Sequence, residues 1–183
     1  MADFRAPRTP AHPWAARLPA SAQPATGGGC SFRRIVVPVD ILGRCAPALA
    51  VATELGAAVG GSLRLVHVRT WEPPIRAASR FFCETSEEAT ALLEESLAGA
   101  WAAGATASGV IVDAPRSRAA AVIAGEADSW RAEVIVVARR PRNPLGALLL
   151  GSLSQDVLRE ARCPVVVVQP ERATGASPWA TVR

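Results

Sequence analysis

The amino-acid sequence predicts an α/β domain built on a five-stranded, parallel, doubly wound sheet with helices on both faces, a Rossmann-like architecture. Short, almost continuously apolar segments alternate along the chain with segments in which apolar residues recur every three or four positions. The first pattern is typical of strands buried on both faces of a parallel sheet, and the second of helices with one buried face. Their regular alternation favours right-handed β-α-β crossovers.

The first strand and helix are the most clearly marked elements. Residues 34–40 form an apolar run that ends at Asp40, and Pro47 suits the first turn of the helix that follows. Gly60-Gly61 is expected to end that helix. The residues expected on its buried face are Cys45, Ala48, Leu49, Ala52, Leu55 and Val59.

The second strand and helix are separated by a loop that contains Pro73-Pro74. The strand covers residues 62–68. Thr85-x-x-Glu88 predicts a capping box, in which the Thr hydroxyl and the Glu carboxylate accept hydrogen bonds from backbone N–H groups at the helix start. The residues expected on the buried face of this helix are Ala89, Leu92, Leu93, Leu97, Ala100 and Trp101.

The second half of the domain continues the alternation. Residues 109–112 predict strand three, a third helix is expected from Ser117, and residues 134–137 predict strand four. Helix four is expected over 152–161 and strand five over 165–168. Helix four is expected to bury Leu153, Val157 and Leu158.

The two ends of the chain lack such periodicity. Residues 1–31 are rich in proline and end near Gly27-Gly28-Gly29, and residues 171–183 are similar in character. Both are predicted to be disordered tails around a domain at 32–170. No apolar run reaches the roughly 18–20 residues that a membrane-spanning helix needs, and no export signal is visible. We therefore expect a cytoplasmic protein that does not contact a membrane.

The composition excludes several classes of chemistry. All 20 residues counted as Lys+Arg are arginine, which excludes a Walker-type phosphate loop and a Schiff base, because both need lysine. The net charge of +4 is spread along the chain without interleaved aromatic residues, so nucleic-acid binding is not expected. The cysteines form no C-x-x-C pair, so no metal site is predicted and inert thiols are expected. They are Cys30, Cys45, Cys83 and Cys163.

Three segments are expected to meet at the carboxyl edge of the sheet, where ligands bind in doubly wound folds. They are Asp40 after strand one, Val68 at the end of strand two, and the loop 138–152 after strand four. Asp40 either accepts hydrogen bonds from a ribose or base, caps helix one, or lies in solvent at the strand end. His67 has apolar neighbours and is expected to be a core histidine, and the arginines at 139–142 are expected to be solvated.

Gly151-Ser152-Leu153 opens helix four, and two interpretations of it stay open. The free N–H groups and the dipole at a helix N-terminus favour a phosphate. Alternatively, Ser152-x-x-Gln155 is a capping box and Gly151 only makes the turn.

The segment from Gly151 to Val168 carries the sharpest motif in the chain. It contains Gly-Ser-x-Ser-x-x-Val-Leu and, after four residues, Cys-Pro-Val-x-Val-Val. This pattern resembles the closing segment of the universal stress protein family, and strands 35–40 and 133–137 fall in that family's order. The resemblance implies an adenine nucleotide alpha hydrolase-like fold. It also implies a homodimer in which the last strands of two chains lie side by side through Val165, Val166, Val167 and Val168.

ATP-binding members of that family carry a loop of the form Gly-x2-Gly-x9-Gly-Ser. Counted back from Gly151, the two earlier glycines fall on Ala138 and Pro141. Proline has a fixed φ and no N–H, and the Cβ of alanine hinders close approach of the backbone to a phosphate. We therefore expect that no cofactor is required and that ATP binds weakly or not at all.

The leading hypothesis is a non-catalytic stress-response protein that acts through dimerisation or protein partners. The alternative is a nucleotide-binding sensor or slow ATPase of the same family, whose site would use Asp40, Val68, Gly151, Ser152 and Leu153. A third class, the related adenylating enzymes, has a glycine/serine-rich loop after strand one and a His-Ile-Gly-His type motif. The sequence lacks both.

Overall fold

The computed structural model describes residues 32–40, 44–72, 81–139 and 152–169 of the 183-residue chain, and both predicted tails lie outside these ranges. The strands are β1 (Arg34–Val39), β2 (Ser62–Glu72), β3 (Phe81–Phe82), β4 (Thr106–Pro115), β5 (Val134–Ala138) and β6 (Val165–Val168). The helices are α1 (Ala46–Val59), α2 (Ser86–Ala102), α3 (Ala119–Ser129) and α4 (Ser152–Glu160). A single 3-10 turn at Arg116–Arg118 precedes α3, so this helix begins slightly later than predicted.

Five strands are parallel, in the order β4-β2-β1-β5-β6, and they confirm the predicted doubly wound sheet. From β1 the chain adds β2 and β4 on one side and then returns to add β5 and β6 on the other. The strand order therefore reverses between β1 and β5. In doubly wound folds this reversal opens a crevice at the carboxyl ends of the strands.

The short antiparallel strand β3 is absent from the sequence prediction. Its residues Phe82 and Phe81 pair with Trp71 and Glu72 at the end of β2. At Trp71 the other edge of β2 is already paired with β4, so β3 lies on the β1 side, just beyond the end of β1. This pairing brings the residues that follow β3 to the carboxyl edge of the sheet.

Helices cover both faces of the sheet, as predicted. On one face α1 and α2 pack against the strands through Ala48, Ala52, Leu93, Leu97, Ile35, Leu63 and Leu65. On the other face α3 and α4 do so through Ile123, Val157, Val36, Val66 and Ile135. Because both faces are covered, Ile35, Val36 and Val37 are all fully buried. This explains why strand one is apolar at successive positions.

Local signals set the ends of two helices. Thr85 Oγ1 accepts a hydrogen bond from the Glu88 N–H at 3.1 Å, and Glu88 Oε2 accepts one from the Thr85 N–H at 2.7 Å, which confirms the capping box. Gly60 has a φ of 61°, a left-handed conformation that suits glycine because it has no Cβ. It ends α1 as predicted.

Two side chains expected in the core are exposed instead. Leu158 is 41% exposed, because it lies one residue, or about 100° of helix rotation, beyond the buried Val157. Trp101 is 36% exposed, and its indole N–H donates to the Ala107 carbonyl at 3.1 Å. The predictions that Leu158 and Trp101 are buried are therefore wrong. Spacing of three or four residues identifies the buried face of a helix but does not give the width of that face.

Candidate functional site

A cavity of about 490 Å³ lies at the carboxyl edge of the sheet. Its wall includes Asp40 after β1, Val68 in β2 and Leu153 in α4, so three of the residues predicted for a site share one crevice. Gly151 lies outside the described residues, as does the side chain of Ser152, the first residue of α4. Ligand binding by these five residues stays a prediction.

The Asp40 side chain is hydrogen-bonded to the backbone just before α1. Its Oδ1 accepts a hydrogen bond from the Arg44 backbone N–H at 3.0 Å. The N-cap residue of α1 is Cys45, which makes no side-chain capping bond. Asp40 therefore organises the chain just before the helix rather than capping it. Because it is only half-buried and lines the cavity, its carboxylate can also meet a hydroxyl or amino group of a ligand.

His67 and Glu84 form a buried polar pair at the same edge, only 2% and 8% exposed. His67 Nδ1 lies 2.9 Å from the Val39 carbonyl oxygen, and Nε2 lies 2.8 Å from Glu84 Oε1. The prediction of a core histidine is confirmed by this burial. The imidazole joins the end of β1 to the segment that follows β3.

The hydrogen-bonding chemistry of this pair fixes most of its protons. The Val39 carbonyl oxygen can only accept, so His67 Nδ1 carries a proton. One further proton lies between Nε2 and Glu84 Oε1, either on the imidazole or on the carboxyl group. The second carboxyl oxygen, Oε2, is buried and has no hydrogen-bond partner among the described residues.

Arg69 fixes the segment that carries Glu84. Its guanidinium makes two hydrogen bonds to Asp113 on β4, at 2.7 and 2.6 Å, and a third to Ser86 at the start of α2. It also stacks on the Phe82 ring, with the guanidinium carbon 4.1 Å from the ring centre. The hydrogen bonds to Asp113 are the main cause of a raised Arg69 pKa, and the nearby Glu84 charge adds to the rise.

The opposite wall, formed by β5 and α4, is built mainly from apolar packing. Val157 is fully buried, and Leu153 lies on the cavity wall. The Ser154 hydroxyl donates to the Ala138 carbonyl at 3.2 Å, which joins α4 to the end of β5. Pro141, the second position where a family glycine is replaced, lies outside the described residues.

Two exposed arginines contribute to the cavity wall, and sequence reasoning did not identify them. They are Arg44, before α1, and Arg116, before α3. Arg116 Nη1 lies 3.6 Å from Glu72 Oε1, but an ion pair this exposed adds little to stability and leaves the guanidinium able to turn. The basic run predicted at 139–142 is described only at Arg139.

The cysteines agree only in part with the expectation of inert thiols. Burial raises the pKa of the Cys45 and Cys163 thiols, which disfavours the reactive thiolate. Cys83 is exposed instead, because it follows the short strand β3 at the surface. Cys30 lies outside the described residues. Where the structure describes the chain, no helix is long and apolar enough to cross a bilayer.

A parallel α/β sheet with a cavity at its topological switch point defines the class of Rossmann-like α/β proteins. A model of the universal stress protein family matches residues 31–169. The chain therefore belongs to the universal stress protein family. The resemblance stated from the closing motif is confirmed by this match.

Two relatives agree with that assignment. A universal stress protein of Thermus aquaticus is 32% identical over 146 residues, which cover 75% of this chain and 99% of that protein. A universal stress protein of Mycolicibacterium smegmatis is 51% identical over 43 residues, which cover 24% of this chain and 33% of that protein.

Solved structures share the fold. A universal stress protein from Archaeoglobus fulgidus has a TM-score of 0.60 and 27% identity, over 75% of this chain and 98% of that one. A structure from the same organism in complex with dAMP has a TM-score of 0.56 and 23% identity, over 75% and 98%. A family member from Arabidopsis thaliana with AMP bound has a TM-score of 0.53 and 19% identity, over 79% and 96%.

Proposed function

We propose that this chain is a non-catalytic stress-response protein that acts through dimerisation or protein partners, and that its crevice holds a nucleoside better than a polyphosphate. The observation that carries this proposal is the contrast between the two walls of the cavity. Asp40 and Val68 are retained on the β1–β2 wall, whereas Ala138 and Pro141 replace two glycines of the family's phosphate loop.

The glycine replacements are expected to weaken binding of the phosphate groups and not binding of the base or ribose. A polyphosphate is held by several backbone N–H groups that converge at close range, and glycine allows the chain to turn and approach without a Cβ in the way. Proline removes a donor at one of these positions. Two solved structures of the family hold dAMP and AMP, and each of these nucleotides carries a single phosphate. A single phosphate needs fewer converging N–H groups than a triphosphate.

Equilibrium binding at physiological salt tests the nucleotide part of this proposal. We expect the dissociation constant for ATP to be weaker than micromolar. Restoring both glycines in the double variant Ala138→Gly, Pro141→Gly should strengthen ATP binding more than AMP binding. Asp40→Ala should weaken AMP and ATP alike. A micromolar ATP constant in the natural chain that Asp40→Ala or Gly151→Val abolishes would overturn the proposal and favour the sensor.

The sensor or slow ATPase is a second candidate because the cavity has room for a ligand and Asp40 and Val68 line it. It differs from the leading proposal in two measurable ways. A sensor binds ATP at micromolar concentration, and a slow ATPase releases phosphate from it. Phosphate release that equals the buffer blank, with ATP bound weakly, would exclude both.

The dimer is proposed to form through β6. Among the described strands, β6 pairs only with β5, so its other edge presents unpaired backbone groups and Val166, which is 36% exposed. An apolar edge of this kind favours pairing with a second copy. Light scattering should give the mass of a dimer, and Val166→Lys should shift it toward the monomer.

Val51→Lys is the matched control for the dimer test. Val51 is 37% exposed, close to the value for Val166, but it lies on helix α1 and not on a strand edge. Its replacement should leave the mass unchanged. A monomer at tens of micromolar for the natural chain, or equal loss of mass in both variants, would count against β6 as the interface.

A further inference from the structure

We propose that Glu84, oriented by His67, is a specificity-determining residue that accepts a hydrogen bond from the amino group of a nucleobase in the cavity. This inference rests on the proposed function, since it concerns which nucleoside the crevice selects. Glu84 lies on the cavity wall and is not part of the motif by which the chain resembles its family.

The first observation is an incomplete hydrogen-bonding pattern. Glu84 is 8% exposed, and its Oε1 is held 2.8 Å from His67 Nε2. Oε2 is buried and has no partner among the described residues. A buried acceptor that is left unpaired is destabilising, and such groups in folded proteins are usually satisfied by water or by a ligand.

The second observation is that Oε2 is an acceptor in both protonation forms of the pair. If the shared proton is on His67, Glu84 is a carboxylate and Oε2 has only lone pairs. If the proton is on Oε1, Oε2 is the carbonyl-type oxygen of a carboxylic acid. A proton on Oε2 with an imidazolium beside it would instead place a neutral acid against a cation and leave a buried donor unpaired. The geometry therefore selects a ligand with a hydrogen-bond donor, and the amino group of a nucleobase supplies one.

The charges around the cavity narrow the ligand class further. Arg44 and Arg116 line the cavity together with the carboxylates of Asp40 and Asp156, and the two exposed guanidinium groups suit an anionic group of the ligand. The rest of the wall is largely apolar, with Val66, Val68, Ile123 and Val157 among its residues. A flat apolar ring with an amino group at one end and a phosphate at the other meets all three requirements, and an adenine mononucleotide has this form.

The probe pair that tests the inference is AMP and inosine monophosphate. The two differ at C6, where the amino group of adenine is replaced by a carbonyl oxygen that would face the Glu84 oxygen as a second acceptor, and at N1, which carries a proton only in hypoxanthine. Equilibrium dialysis with labelled nucleotides on the full chain should give a dissociation constant for AMP that is at least about tenfold lower than that for inosine monophosphate. This is the expected scale for the loss of one buried hydrogen bond. Equal constants for the two nucleotides would overturn the inference.

Two variants at Glu84 separate hydrogen bonding from packing. Glu84→Leu removes the acceptor and should abolish the preference for AMP. Glu84→Gln should retain it, because the amide N–H₂ can donate to His67 Nε2 and leave the amide oxygen where Oε2 was. Retention of the preference in the leucine variant, or its loss in a folded glutamine variant, would also overturn the inference.

Glu94→Gln is the matched control, since Glu94 is an exposed carboxylate on α2 and is not among the residues of the cavity wall. It should leave the ratio of the two constants unchanged. If neither nucleotide binds at millimolar concentration, the nucleoside site itself fails and the inference with it. If both bind equally, only the role of Glu84 fails.

Discussion

The two walls of the crevice are held by different kinds of interaction. On the β1–β2 wall, His67, Glu84 and Asp40 make directional hydrogen bonds to the backbone or to each other. On the β5–α4 wall, the buried contacts are mainly apolar, and the Ser154 hydroxyl bond to Ala138 is the polar link.

This difference bears on how each wall tolerates substitution. Directional bonds position individual atoms, so the β1–β2 wall can discriminate between ligand groups but loses much when one partner is removed. Apolar packing depends on volume, so the β5–α4 wall can keep its fold when the glycines of a phosphate loop are replaced. Replacement of the loop glycines is therefore compatible with the family fold.

The largest expected effect comes from breaking the buried pair on the β1–β2 wall. His67→Leu leaves Glu84 buried without its hydrogen-bond partner and the Val39 carbonyl without its donor. Each buried acceptor that is left unsatisfied in this way destabilises a protein by about 1–3 kcal/mol, and by more if it is charged. Urea unfolding followed by circular dichroism measures this change.

The double variant His67→Leu, Glu84→Leu is the control for this prediction. It removes the buried carboxyl group together with its partner, so it should be more stable than His67→Leu alone although it carries one more substitution. A loss below about 1 kcal/mol in the single variant would mean that water satisfies Glu84 readily. In that case the β1–β2 wall would not be more sensitive to substitution than the β5–α4 wall.

A smaller effect is expected on the apolar wall. Val157→Ala removes two methyl groups from a fully buried side chain and leaves a small cavity, which costs about 2 kcal/mol. Leu158→Ala, at the next residue of α4, removes a side chain that is 41% exposed and should cost less than about 1 kcal/mol. Equal losses in urea unfolding would contradict the observed orientation of α4.

Most of the fold was predictable because its signals are local. Residues 34–40 are apolar at successive positions, which indicates a strand covered on both faces, and Thr85-x-x-Glu88 marks a helix start. Leu158 was assigned wrongly because spacing along a helix does not tell how far the sheet extends beneath it. β3 was missed because two residues are too few to show a period.

The candidate site was predictable in part, with Leu153 expected on the β5–α4 wall and Asp40 and Val68 on the other. Asp40 and Val68 follow from the rule that ligands lie at the carboxyl ends of parallel strands. Glu84 could not be assigned from sequence, because it reaches this edge through the antiparallel pairing of β3 with the end of β2. Its one local signal is its place directly before the capping residue Thr85, and that signal indicates a helix start and not a ligand.

The smallest effect concerns the capping box that fixes the backbone next to Glu84. Thr85→Ala removes the side-chain oxygen that accepts from the Glu88 N–H, and loss of such a cap costs about 1 kcal/mol. Thr90→Ala on the same helix is the control, since the Thr90 hydroxyl only donates back to the Ser86 carbonyl within the helix, and alanine has the higher helix propensity. Urea unfolding should therefore show a lower free energy of unfolding for Thr85→Ala and an unchanged or slightly higher one for Thr90→Ala.

Because Thr85 adjoins Glu84, Thr85→Ala should also reduce the preference for AMP over inosine monophosphate without abolishing it. A loss of stability with an unchanged preference would indicate that Arg69 and His67 alone hold Glu84 in place.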